Sequence, residues 1–169
     1  GLQAAYYDVR EGIGFNKTPD VYGAFPTDPY SHTPGFAGAR QPGMTGQVKE
    51  EVLTRLLELG VEVADARVSF KPSVLRRSEF LGSSATLRYF DTAGASQAVA
   101  LEAGELGFTY CQVPVVMALA DSPSITLHTA DGATESVTGS VLTAEQSEAL
   151  FKKTGQYVRL DVRVAQVMD

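Results

Sequence analysis

Six short strand-like runs lie between Gly60 and Thr129 with no helical period among them. Val61–Phe70 alternates in part. Ala85–Phe90, Ala98–Leu101, Leu106–Cys111, Val115–Leu119 and Ile125–Thr129 follow, rich in β-branched and aromatic residues. Asp91-Thr-Ala-Gly94, Glu102-Ala-Gly104 and Asp131-Gly132 punctuate them as turns. Parallel strands need long crossovers between them, and these gaps are too short for one. The spacing therefore predicts a mostly β fold, an antiparallel, jelly-roll-like β-sandwich over residues 61–169. The final run is the most regular. Val158, Leu160, Val162 and Val164 alternate with Arg159, Asp161 and Arg163. All four apolar residues are expected inward, with Arg159 and Arg163 in water.

Two helices are expected around this β segment. Met44, Val48, Val52, Leu53, Leu56, Leu57 and Leu59 recur at helical spacing behind Thr45, a good first cap. Glu51 and Arg55 form an i,i+4 pair in the favourable order, and Gly60 suits the residue after a helix end. The predicted helix is 45–59. Nearer the C-terminus, Thr143-Ala-Glu-Gln146 matches a capping box, and Ser147–Lys153 continue a short helix. Lys152 and Lys153 suit its negative end, with Gly155 beyond.

The N-terminal quarter is built differently. Residues 1–46 contain 8 Gly and 5 Pro, against 8 Gly and 3 Pro in the remaining 123 residues. This divides the chain into a loop segment 1–44, a helix 45–60 and a β domain 61–169. Long loops in compact domains are usually functional. This one carries Tyr22, Phe25, Tyr30 and Phe36. Within it Asp28, Tyr30, His32 and Arg40 lie close together, and Gln47 and Glu50 follow on the first turns of the helix. A carboxylate, an imidazole, a guanidinium and an amide near aromatic faces suit a sugar. Rings stack on the apolar face of a pyranose while planar polar groups read its hydroxyls. The same groups also suit tying a long loop to its own backbone.

Other chemistry finds little support. The chain has 169 residues, enough for one domain, with 14 basic and 20 acidic side chains, a net charge of −6. That balance repels phosphate backbones, so no nucleic acid is expected. One cysteine excludes an internal disulfide framework, and with two histidines it makes no Cys/His zinc site. Cys111 reads as a buried strand thiol, and His128 as a part-exposed strand histidine sharing a polar face with Thr126. Gly12-Ile-Gly14 lacks the third glycine and the strand–helix setting of a dinucleotide site, and no nucleophile elbow is present. No cofactor is implied. The longest apolar run, Val113–Ala120, is eight residues and contains Pro114, so no membrane span is expected. No basic stretch followed by an apolar one opens the chain. Its first residue is Gly rather than Met, which points to a fragment.

Two stretches carry a resemblance. One is Tyr22-Gly-Ala-Phe-Pro-Thr-Asp-Pro-Tyr-Ser-His-Thr-Pro leading into Gln41-Pro-Gly-Met-Thr-Gly-Gln-Val-Lys-Glu-Glu. The other is Val68-Ser-Phe-Lys-Pro-Ser-Val-Leu. Together the layout resembles the C-terminal region of large bacterial proteins related to six-hairpin glycosidases and sugar phosphorylases, over most of residues 20–169. The resemblance implies that helix 45–59 ends an upstream helical barrel and that the β domain caps it. His32, Arg40, Gln47 and Glu50 would then face the barrel mouth or the seam. No catalytic residue matches. Three functions remain: a non-catalytic module of a carbohydrate-active protein, a small enzyme with its site at His32, and an interaction domain without a small ligand.

Overall fold

A computed structural model describes residues 1–12 and 47–168. The chain divides into two compact units, Gly1–Arg55 and Leu56–Asp169. In the first unit, helix α1 spans Leu2–Gly12. The expectation of a loop from residue 1 is corrected here. The Gly/Pro-rich composition begins only after Gly12, and Leu2–Glu11 contains neither residue. The rings of Tyr6 and Tyr7 meet edge to face, centroids 5.1 Å apart.

Helix α2, Gln47–Glu58, lies within two residues of its predicted bounds. Its C-terminal end belongs to the second unit. There Leu56 packs on the core and Leu59 is buried. Gly60 ends the helix with φ +71°, its N–H bonded to the Leu57 carbonyl at 2.9 Å. Its own carbonyl accepts from the Lys71 N–H at 2.7 Å. A Cβ at this position would stand 2.1 Å from the Pro72 nitrogen, so glycine is required by space as well as by backbone angle.

The second unit is mostly β, as expected. β1 (Val61–Ala64) and β2 (Arg67–Phe70) form a hairpin, and so do β3 (Ala85–Phe90) and β4 (Ser96–Leu101). The remaining strands are β5 (Glu105–Tyr110), β6 (Val113–Leu119), β7 (Ser124–Thr129), β8 (Thr134–Thr138) and β9 (Tyr157–Val164). They make one sheet in the order β5-β6-β9-β7-β8. Antiparallel pairing throughout was expected, and one pair departs from it. β9 runs parallel to β6, with Val115 beside Leu160 and Met117 beside Val162. Helix α3, Ala144–Phe151, supplies the crossover that lets the chain return between two hairpins. Pro114 lies just before this parallel ladder begins.

The face that carries Val115, Met117, Ile125, Leu127, Leu160 and Val162 is sealed by Val68 and Phe70 of β2, Leu75, Leu142 and Leu150 of α3. The capping box predicted for α3 is present. Thr143 Oγ1 accepts from the Gln146 N–H at 3.2 Å, and Gln146 Oε1 from the Thr143 N–H at 3.0 Å. Buried Ser147 fixes α3 to the hairpin: its Oγ accepts from the Val68 N–H at 3.0 Å and donates to the Thr143 carbonyl at 2.8 Å.

β9 differs from its expected pattern at one end. Leu160, Val162 and Val164 are buried, but Val158 is 45% exposed and Tyr157 takes the inward position. The register against β7 shifts between His128 and Thr129, so Arg159 faces His128 while Tyr157 faces Thr129. This bulge leaves Val158 as the extra residue and turns it outward. Arg159 and Arg163, expected in water, are both half-buried.

The opposite face of the sheet is unevenly covered. Val116 is fully buried there, and Leu101 of β4 lies against Gly107, where a Cβ would come within 2.5 Å of Leu101 Cδ1. Across β9, β7 and β8 the cover thins. Arg159, Asp161, Arg163, Ser124, Thr126 and His128 are half-buried, and Thr134, Ser136 and Thr138 are exposed.

Candidate functional site

A cleft of about 460 Å³ opens where three turns of the second unit converge. Tyr89, Asp91 and Gln97 come from the β3–β4 hairpin, Gln112 from the β5–β6 turn with Pro114 at the start of β6, and Gly155 from the approach to β9 with Tyr157 and Val158 at its start.

Asp91 builds the first wall. Its Oδ1 accepts the N–H groups of Ala93 and Ala95, both at 2.9 Å, in the manner of an aspartate that closes a turn. Its Oδ2 accepts from Gln97 Nε2 at 2.9 Å. The Gln97 bond, with those backbone donors, holds its carboxyl below the usual range. Asp91 is therefore ionised at neutral pH, with both oxygens engaged. That makes it a positioning group and a poor general base.

The second wall is a tight turn at Cys111 and Gln112, whose φ angles are +51° and +66°. Two positive angles in a two-residue hairpin turn normally call for Asn-Gly or similar residues. Here neither residue is glycine, and side-chain bonds hold the turn. Gln112 Nε2 donates to the Asp91 carbonyl at 2.9 Å, and Gln112 Oε1 accepts from Lys153 Nζ at 2.6 Å. Gln112 thus ties the β3–β4 turn to the end of α3. Cys111 was expected inside a strand and instead occupies this turn, half-buried against the core. Burial pushes its thiol above the usual value, and the Lys153 ammonium opposes that shift.

Tyr157 forms the floor. Its hydroxyl donates to Glu135, and Gln146 Nε2 donates to the same carboxylate at 2.9 Å. Burial, then the Glu135 hydrogen bond and charge, pushes its hydroxyl up to about 12. Tyr89 is also raised, by burial and by the Asp91 charge. Both phenols stay neutral across the physiological range; Tyr89 is half-buried at the cleft, while Tyr157 is only 5% exposed.

Asp91 is the lone acidic residue of the described lining, so the two flanking carboxyl groups of a glycosidase are not assembled by these residues. Among the described residues no group of three or more His, Cys, Asp or Glu side chains is placed to hold a metal.

Of the residues expected at a site, Asp28, Tyr30, His32 and Arg40 lie outside the described residues. Gln47 and Glu50 lie on the first turn of α2, where only the backbone is described. The cleft residues were not foreseen as a site. Asp91-Thr-Ala-Gly94 was legible as a turn, but nothing local marks Gln112, Lys153 and Tyr157 as its neighbours. His128 does share a face with Thr126, as expected, and its Nε2 lies 2.8 Å from Asp161 Oδ2.

No protein-family model matches the chain, and no curated protein matches its sequence. Among the described residues no helix is long and apolar enough to cross a membrane.

Proposed function

We propose that the unit Leu56–Asp169 is a non-catalytic module that binds a saccharide in the cleft at Tyr89, Gln97, Gln112 and Tyr157. The observation that carries this reading is the meeting of the neutral Tyr89 ring and two side-chain amides over the buried Tyr157, around about 460 Å³, a volume suited to a sugar ring or two. Tyrosine offers a flat apolar face, and amides both donate to and accept from hydroxyls. The resemblance of residues 20–169 to the C-terminal region of six-hairpin glycosidase-like proteins supports the same class of ligand. On this reading the parent protein carries an upstream helical barrel, and this chain packs on it or adds to its sugar site.

The test is titration of the full chain with neutral mono- and oligosaccharides, followed through the side-chain amide resonances of Gln97 and Gln112. Saturable shifts confined to these amides and the Tyr89 and Tyr157 rings are expected, with no release of reducing sugar. Shifts elsewhere, no shift at millimolar sugar, or hydrolysis by the chain would each refute the reading.

A further inference from the structure

The open part of the sheet's second face holds a guanidinium with an unpartnered nitrogen among the described residues. Arg163 stands on β9 between Ala118 of β6 and Ser124 of β7. Its Nη1 is shielded from solvent and has no hydrogen-bond partner, and among the described residues no ion pair reaches this side chain. A guanidinium carries five N–H donors and stays charged at any ordinary pH. Leaving such a group half-buried and uncompensated is costly, and native structures satisfy it with ordered water, an ion or a ligand where protein offers no partner.

Its neighbours are arranged in the same sense. Two residues back along β9, Asp161 is already committed twice, to Arg159 Nε at 2.6 Å and to His128 Nε2 at 2.8 Å. Asp161 thus balances Arg159 and leaves the Arg163 charge over. The cross-strand partners of Arg163 and Asp161 on β7 are Ser124 and Thr126, two hydroxyls on the same face. Exposed Ser136 and Thr138 continue the row on β8. Along the same row Glu105 of β5 lies beyond Ala118, its Oε2 taken by the Glu102 N–H at 2.9 Å, so on its β7 and β8 side Arg163 is rimmed by hydroxyl donors and no unengaged carboxylate.

We infer that this face binds an oxyanion group, a carboxylate or a phosphate ester on a small molecule, with Arg163 as its principal ligand and Ser124 and Thr126 as flanking donors. The planar guanidinium matches two oxygens of such a group at once. The anion meets Arg163 from its open edge, since the residue as a whole is only half-buried. Asp161 keeps Arg159 and His128 in place beside it and does not touch the anion. The site shares none of its ligands with the saccharide cleft and stands or falls apart from it.

The experiment uses the full chain at constant ionic strength, exchanging chloride for inorganic phosphate, and separately adding glucuronate against glucose. The readout is the Nε–H resonance of Arg163 and the backbone amides of Ser124 and Thr126. Saturable shifts at these three positions are expected with phosphate or glucuronate and not with glucose. A stronger response to phosphate assigns a phosphate ester, and a stronger response to glucuronate a carboxylate. R163Q should weaken binding at least tenfold, while R88Q, at an exposed site on β3, leaves it unchanged. Shifts that rise linearly without saturation, or that spare Arg163 in the unaltered protein, would overturn the proposal whether or not R163Q folds. Equal binding by a folded R163Q would overturn it too.

Discussion

The Tyr157 hydroxyl lies 3.1 Å from Oε2 of Glu135 and 3.2 Å from Oε1, so one phenol donor spans both oxygens of a carboxylate on β8, reached from β9 across the end of β7. The consequence is a pH dependence of known sign. The phenol is pushed up to about 12 in the folded chain, above its ordinary value of about 10. Its contribution to stability is complete below pH about 10 and is lost as pH rises through about 12. Y157F should cost about 1–2 kcal/mol at neutral pH, the loss of a hydrogen bond to a charged acceptor. Denaturant midpoints of the two proteins should converge between pH 10 and 12. A gap that stays constant over that range would contradict the assignment.

The β1–β2 turn offers a gain in stability. Asp65 and Ala66 both have positive φ, +50° and +58°, and alanine is poorly suited there. A66G creates the Asp-Gly pair preferred in such turns and should stabilise by about 1 kcal/mol. Gln112 occupies the same kind of turn, yet Q112G should not stabilise, because it removes the bonds to Asp91 and Lys153. Urea midpoints of the two variants should therefore move in opposite directions or differ by about 1 kcal/mol or more.

Along β9, two residues of similar chemistry should respond very differently. L160A removes a side chain only 1% exposed and should cost about 2–5 kcal/mol. V158S acts on a side chain turned out by the bulge and should stay within about 0.5 kcal/mol. Equal costs for the two would place the register differently from the one described.

Cys111 should react slowly. Its thiol is held up by burial and partly brought down by Lys153. Alkylation by iodoacetamide should reach half its limiting rate above pH 9, the thiolate being the nucleophile. K153M should move that midpoint higher. A midpoint that falls in K153M would mean that the ammonium does not face the sulfur.

What was legible in the sequence was local. Thr143 and Gln146 announce the start of α3 because the capping box is complete within four residues. Ala85–Phe90 is a strand over the span its β-branched and aromatic residues mark. What was not legible depends on partners. The alternation of β9 holds at Leu160, Val162 and Val164 but fails at Val158, because the bulge is set by pairing with β7. Period-two patterning carries no information on strand direction, so the parallel β6–β9 pair was invisible. β8 offers Val137 as its one apolar residue and gives almost no alternation to detect. The cleft draws on turns more than sixty residues apart, from Tyr89 to Val158, and Cys111-Gln112 lacks the glycine that advertises such a turn.

The middle strand of the five-stranded sheet is also the last one reached along the chain. A ribosome that has delivered β5 to β8 has made two separate hairpins with nothing to join them. Until Tyr157–Val164 emerges, the apolar side chains of Val115, Met117, Ile125 and Leu127 have no β9 to pack on, and the inner borders of β6 and β7 stay unpaired. A shortened product ending before β9 would keep two sticky half-sheets open to one another and to neighbouring copies. Late arrival of the keystone strand makes its emergence the step that commits this unit to its fold.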